Sequence, residues 1–324
     1  YFRAKETTTS DKTRLSYAYD LRVFFRFLQE TNPTLHDKAL SEISIKDLSM
    51  LKPVDFEEFE EYLKAYKTPD NRTETNSRTG IARKMSCLRS FYDYLCKREL
   101  LTSNPVRLVD MPKIKEKAII QLDTDEVAAL LDYIENYGND LTGVKLYHYQ
   151  KQKYRDIAIV TLLLGTGVRV SELVGLNISD VDFKNNGIRI IRKGGNEMIV
   201  YFGEEVEKAL KDYLELQRNG ITPLSGHEDA LFLSGQKKRI SVDAVEKMVK
   251  KYCSAVSVKT ITPHKLRSTY GTALYRETGD IYLVADVLGH ADVNTTKKHY
   301  AKLSDERRRS ASKAVVLREK LDTQ

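Results

Sequence analysis

The sequence predicts a mainly α fold of the α+β type, organised as two domains. The chain has 324 residues, 41% of them hydrophobic, which is enough for two cores at about 150 residues per domain. Many segments repeat apolar residues at three- and four-residue steps, the period of an amphipathic helix. Three short segments in the second half instead show strand patterns separated by turn residues, which indicates a small antiparallel sheet.

Residues 1–105 are predicted to form a helical domain. Residues 10–30, 54–66 and 77–100 each carry an apolar stripe, and Asn-Pro pairs follow the first and third segments. The second segment has an acidic face, whereas the third has basic residues outside its stripe: Arg78, Arg83, Lys84 and Arg89. Because acids and bases are segregated by segment, we expect these four residues either to contact DNA phosphates or to form a solvated face.

Residues 106–118 are predicted to link the domains. They contain Pro112 and several basic residues and show little periodicity. Such a linker would either let two domains close around a duplex or act as a passive tether.

The second domain, residues 119–324, is predicted to begin with a helix near Thr124 and to continue with a buried helix over 155–164. The sequence Gly165-Thr166-Gly167 ends that helix, so Arg169 is expected at or near the start of the next one. An arginine beside helix-terminal N–H groups can form a phosphate site. Alternatively, Arg169 pairs with Glu172 one turn later as structural support, and both roles are compatible.

Strands are predicted over 181–183, 187–192 and 197–202, with Lys193 in the turn between the last two. Helices are predicted over 206–216, 241–256 and 281–288. His264 and Arg267 are three residues apart, so both should project from one helical face. Gly289 fits the end of the last helix, and His290 follows it directly.

Composition restricts the class of protein. The net charge of +7 favours a polyanionic partner, and no run of 18 apolar residues could span a membrane. The three cysteines are scattered, as expected of buried, reduced thiols in the cytoplasm. A metal site formed by His264, His290 and His299 is a poor alternative, because their spacing matches no zinc pattern.

Taken in order, Arg169, Lys193, the sequence His264-Lys265-Leu266-Arg267, the sequence Leu288-Gly289-His290 and Tyr300 resemble the tyrosine recombinase family. These are site-specific DNA recombinases and phage-type integrases. The resemblance covers roughly residues 10 to 305. It implies a helical SAM-like core-binding domain, followed by a tyrosine-recombinase catalytic domain with a small antiparallel sheet and a C-terminal tail helix.

The resemblance also implies a reaction and a role for each residue. Tyr300 would attack the phosphodiester and form a 3′-phosphotyrosine, without a metal or any other cofactor. Arg169 and Arg267 would bind the scissile phosphate, with Glu172 as the acid that orients the site. His290 would donate to a phosphate oxygen, His264 would act as general base or proton relay, and Lys193 would protonate the leaving oxygen, with Arg192 as its nearest competitor.

The partner implied is double-stranded DNA with inverted-repeat sites, bound by a homotetramer with a dimer on each site. Accessory DNA-bending or directionality factors are further partners that the resemblance allows. The expected location is the cytoplasm, with the nucleoid. Tail and loop lengths favour an integrase of a mobile element over an Xer-like recombinase that resolves chromosome or plasmid dimers. Two alternative hypotheses are a type IB-like topoisomerase and a non-catalytic DNA-binding accessory protein.

Overall fold

The structure is a computed structural model that describes residues 1–36, 38–114, 120–192, 195–290, 292–293 and 296. The chain divides into two compact units, Tyr1–Lys117 and Ala118–Gln324, and each has its own hydrophobic core. The described residues are mostly helical with small antiparallel sheets, which confirms the predicted fold class. The predicted tail helix lies outside the described residues.

The core of the first unit is rich in aromatic rings. Phe24 stacks on Phe56 at 5.5 Å between ring centroids and meets Phe59 edge-on at 5.1 Å, which joins the first and third helices. Tyr92 on the fourth helix packs edge-on against Phe56. The elements are α1 Asp11–Thr31, α2 Ile45–Ser49, α3 Pro53–Tyr62, β1 Ala65–Lys67, β2 Thr73–Thr75 and α4 Arg78–Lys97.

The second predicted helix ends at Tyr62, earlier than its apolar pattern suggested. The chain then enters β1, where exposed and buried residues alternate. Tyr66 is the buried residue of that strand, and its ring stacks on Tyr62 at 5.2 Å. The apolar residue that extended the helical pattern is thus a strand residue packed on the end of α3.

The first part of the predicted linker packs into the first unit. Val106 and Val109 are buried in its core. Arg89 on α4 donates from Nε to the Val106 carbonyl at 3.1 Å and from Nη2 to the Val109 carbonyl at 2.5 Å. Residues 106–109 are therefore held by both apolar packing and hydrogen bonds.

The second unit surrounds the buried helix α7, which packs against α5, α9 and α11. Its sheet has the order β3-β4-β5, all antiparallel, with Ile188 paired to Val200. The elements are α5 Thr124–Asn136, α6 Gly143–Gln150, α7 Lys153–Thr166, α8 Val170–Gly175, β3 Val181–Asp182, β4 Gly187–Ile191, β5 Glu197–Tyr201, α9 Glu204–Leu216, α10 Val242–Val256, α11 Pro263–Thr278 and α12 Ile281–Leu288.

A buried polar network ties α7 to α10. Asp156 accepts from Arg155 at 2.9 Å and 2.6 Å and from the Tyr252 hydroxyl at 2.9 Å. Arg155 also donates to the Leu233 carbonyl at 3.0 Å. All three side chains are buried, and the charges of Arg155 and Asp156 compensate each other within the core.

The cysteines have no disulfide partners. Burial raises the pKa of the Cys87 and Cys253 thiols to about 12, as expected for inert core cysteines. No helix among the described residues is long and apolar enough to cross a membrane.

Candidate active site

The first part of the site lies between α7 and α8. Gly167 ends α7 in the left-handed conformation, with φ of 63°, and a Cβ there would strike Tyr270. Arg169 then caps α8, as predicted, and Glu172 accepts from its backbone N–H and its Nη1, both at 2.8 Å. The buried carboxylate of Glu172 therefore fixes both the main chain and the guanidinium of Arg169.

Helix α11 provides the second part. Pro263 occupies its first turn, where the missing N–H costs nothing. His264 is exposed and Arg267 is buried, so these two residues on one side of the helix differ strongly in solvent access. Arg267 donates from Nη1 to the Gly167 carbonyl and from Nη2 to the Leu288 carbonyl, and so connects the ends of α7 and α12.

The third part is the turn that ends α12. Gly289 has φ of 59°, as predicted for a glycine at a helix C-terminus. Its N–H donates to the Asp286 carbonyl at 2.8 Å, and the His290 N–H donates to the Ala285 carbonyl at 2.9 Å. This is the hydrogen-bond pattern of a Schellman motif, and it fixes the backbone that carries His290.

Three arginines meet the remaining carbonyls of this turn. Arg192 donates to Val287 at 2.6 Å, Arg267 donates to Leu288, and Arg169 donates to Gly289 at 3.0 Å. The C-terminal end of a helix carries a partial negative charge and unsatisfied carbonyls, so the guanidinium groups stabilise it. We call this set of three consecutive carbonyls, residues 287–289, the carbonyl turn.

The site thus gathers cations and an imidazole around one short turn. Guanidinium groups stay charged at any working pH and can bind the oxygens of a phosphate in pairs. The His290 Nδ1 shares a hydrogen bond of 2.6 Å with the Thr296 hydroxyl, which fixes the imidazole ring. Thr296 is fully buried, and sequence reasoning missed it because a single threonine six residues after His290 carries no distinguishing pattern.

Two predicted site residues, Lys193 and Tyr300, lie outside the described residues, as does His299. Their roles therefore remain predictions from the sequence. The structure brings together Arg169, Glu172, Arg267 and His290, with His264 on the same helix as Arg267. Among the described residues, no group of three His, Cys, Asp or Glu side chains could hold a metal ion.

Three of the four residues of α4 that were predicted to contact DNA form ion pairs or hydrogen bonds within the first unit, and the fourth, Arg78, is exposed. Arg83 and Lys84 both donate to the buried carboxylate of Asp20 on α1. Arg89 holds the two carbonyls of Val106 and Val109. A contact with DNA phosphates remains a prediction for all four, and for three of them it would add to a structural role.

Family models match both units of this chain. The model described as the phage integrase family matches residues 121–307, and the model for the phage integrase N-terminal SAM-like domain matches residues 4–99. The tyrosine recombinase XerC of Caldanaerobacter subterraneus subsp. tengcongensis is 35% identical over 93% of this chain and 81% of that protein. The tyrosine recombinase XerS of Streptococcus thermophilus strain CNRZ 1066 is 32% identical over 95% of this chain and 92% of that protein.

Solved structures share the fold. The Tn1549 transposon integrase in complex with transposon right end DNA aligns with a TM-score of 0.67, at 21% identity, over 96% of both chains. The XerH site-specific recombinase bound to palindromic difH substrate aligns with a TM-score of 0.65, at 19% identity, over 93% of this chain and 79% of that one.

The family models that match both units, together with relatives at 35% and 32% identity, place this chain in the class of tyrosine recombinases. The chain belongs to the phage integrase family, within which its relatives are Xer tyrosine recombinases. The family resemblance drawn from the sequence is therefore confirmed.

Proposed function

We propose that this protein is a site-specific recombinase that cuts and rejoins DNA through a 3′-phosphotyrosine at Tyr300. The observation that carries the proposal is the meeting of Arg169 and Arg267 on adjacent carbonyls of the turn that holds His290. The two arginines come from helices far apart in sequence. An arrangement of this kind suits a phosphate whose oxygens become more negative during the reaction.

In the proposed reaction, the Tyr300 hydroxyl loses its proton, and its oxygen bonds to phosphorus as the bond from phosphorus to the 5′-oxygen breaks. His264, exposed on α11, is proposed as base or relay for the tyrosine proton. Lys193 gives a proton to the leaving 5′-oxygen. Arg169, Arg267 and His290 hold the phosphate oxygens.

The 3′-phosphotyrosine keeps a reactive phosphodiester, so the 5′-hydroxyl of a partner strand can reverse the attack and no nucleotide cofactor is needed. The proposed partner is duplex DNA with inverted repeats, bound by four protomers. Relatives named as Xer recombinases favour the resolution of chromosome or plasmid dimers. Integration or excision of a mobile element, which tail and loop lengths favoured, remains the alternative.

The test uses a nicked duplex substrate that traps the covalent product. We expect the wild-type protein to form a denaturation-resistant adduct with the 3′ end, and Tyr300→Phe to bind the same DNA without forming it. Tyr282→Phe is the matched control, because Tyr282 is exposed on α12 and should leave the adduct unchanged. An adduct formed by Tyr300→Phe would show that another group is the nucleophile.

A second assay separates the proposed recombinase from its two rivals. Efficient relaxation of a supercoiled plasmid that lacks a specific site would favour a topoisomerase. Binding by the wild-type protein with no adduct on any site would favour an accessory DNA-binding role. Exchange between two copies of one cognate site is the result expected of a recombinase.

A further inference from the structure

Arg192 lies at the end of β4 and closes the turn between β4 and β5 with its main chain. Its N–H donates to the Asn196 carbonyl at 2.8 Å, and its carbonyl accepts from the Gly195 N–H at 3.0 Å. The side chain, however, leaves the sheet and reaches the carbonyl turn, where Nη2 donates to Val287 at 2.6 Å. One residue therefore joins the base of the β4–β5 turn to the end of α12.

The guanidinium of Arg192 also lies against Gly289. A Cβ built on Gly289 would collide with the Nη1, Cζ and Nε atoms of Arg192. In this arrangement the guanidinium occupies the space that a side chain at residue 289 would fill. The His290 backbone follows this contact directly, so the position of Arg192 and that of the histidine are linked through one glycine.

The guanidinium of Arg192 is partly buried and incompletely paired. Its Nε and Nη1 are buried and have no hydrogen-bond partner in the part of the chain that the structure describes. Burial lowers the pKa of this guanidinium, and the neighbouring charge of Arg169 lowers it further, against the opposing effect of Glu172. Unpaired buried donors destabilise the folded state, so stability alone does not explain an arginine here.

We propose that Arg192 is a positioning residue that fixes the base of the β4–β5 turn on the carbonyl turn, and so sets where Lys193 stands relative to the phosphate-binding arginines. The inference rests on the proposed function, in which Lys193 protonates the leaving oxygen. Lys193 follows Arg192 in the chain, and adjacent Cα atoms are about 3.8 Å apart, so anchoring one residue restricts the next. Arg192 itself is not the acid, because it stays protonated and its Nε and Nη1 face protein.

The experiment compares two substrates in single-turnover cleavage, one with the natural bridging 5′-oxygen and one with sulfur at that position. A thiolate leaves without a proton, so the sulfur substrate restores the rate only where proton delivery is the defect. Arg192→Met should cut the oxygen substrate about 10²-fold more slowly, the size of effect typical of a misplaced reacting group, yet cut the sulfur substrate close to wild type. DNA binding should be unchanged.

Two further variants make the result decisive. Lys193→Ala tests the acid itself and should also be rescued by sulfur. Arg189→Met removes a cation from the same strand, where Arg189 is half-exposed and paired with Asp180, and should cut both substrates normally. Arg192→Met should fold, because methionine replaces unpaired buried donors with an apolar chain; if it does not, Arg192→Lys is judged by the same comparison.

The outcomes distinguish the positioning role of Arg192 from the proposed acid role of Lys193. Rescue of Lys193→Ala together with equal slowing of the Arg192 variant on both substrates would overturn the positioning role and indicate a direct phosphate contact. Normal cleavage of both substrates by the Arg192 variant would overturn it as well. If Lys193→Ala is not rescued, the proposed acid is wrong and the inference about Arg192 is refuted with it.

Discussion

Replacing Glu172 with alanine removes the two hydrogen bonds that its carboxylate accepts from Arg169, one from the backbone N–H and one from Nη1. The bond from the Arg169 backbone N–H is the one that the third residue of a helix accepts in a capping box, and its loss should cost about 1 kcal/mol. The bond to Nη1 is charge-assisted, but the Arg169 side chain is 36% exposed, so screening puts its contribution at the lower end, about 1.5 kcal/mol. The sum is about 2.5 kcal/mol.

Glu172→Gln separates the two contributions. Glutamine keeps an oxygen for the backbone N–H but loses the charge, so we expect a cost of about 1 kcal/mol. For a domain of this size about 1 kcal/mol shifts the melting temperature by about 2–4 °C, which predicts a decrease of about 5–10 °C for alanine and about 2–4 °C for glutamine. Calorimetry on the full chain measures the transition of the second unit.

The matched control is Glu205→Ala, which removes an exposed acid from the first turn of α9 in the same unit. It should shift the transition by less than either change at Glu172. The reasoning fails if the alanine variant melts with the wild-type protein, or if glutamine destabilises as much as alanine. Single-turnover cleavage should follow the same order, because Arg169 keeps only its bond to the Gly289 carbonyl when the carboxylate is lost.

Three other predictions follow from contacts in the second unit. The Arg267→Lys variant should bind DNA but cleave it much more slowly in single turnover. A lysine ammonium cannot donate to the two carbonyls and bind a phosphate in the geometry of a guanidinium. Near-normal cleavage by this variant would contradict the prediction. Lys259 lowers the pKa of Glu126 to about 2, below the value of about 4.3 for an unfolded glutamate. The stability that this ion pair contributes is therefore fully present above pH about 4.3 and is lost as the pH falls towards 2. NMR titration should find the low midpoint, and Lys259→Met should raise it. Tyr252→Phe should lower the free energy of unfolding by about 1.5–3 kcal/mol, since Asp156 loses a bond to a buried charge; an unchanged denaturant midpoint would refute it.

The sequence predicted the parts of this site that depend on local chain geometry. Gly167 and Gly289 are left-handed residues at helix ends, and each was recognisable as a glycine after an apolar run. Arg169 at the start of α8 and its pairing with Glu172 followed from the same break. These features are local, because a helix ends within one turn of the residue that ends it.

The meeting of three arginines at the carbonyl turn could not be predicted in this way. Arg169 and Arg192 reach carbonyls 120 and 95 residues away, and a main-chain acceptor leaves no trace in the sequence. The sequence did carry a signal for the direction in which the Arg192 side chain points. Ile188 and Ile190 are buried, and Arg192 continues their two-residue alternation, which indicates the inner face of the sheet.

Because the arginines hold main-chain carbonyls, the carbonyl turn has an uneven tolerance to evolutionary change. Val287 is only partly buried, so other residues can replace it while its carbonyl still receives Arg192. Leu288 is restricted by the core, and Gly289 by its left-handed φ of 59° together with the guanidinium that lies against it. We therefore expect homologous chains to drift at the first of these three positions while the last stays fixed, even though all three bind an arginine in the same manner.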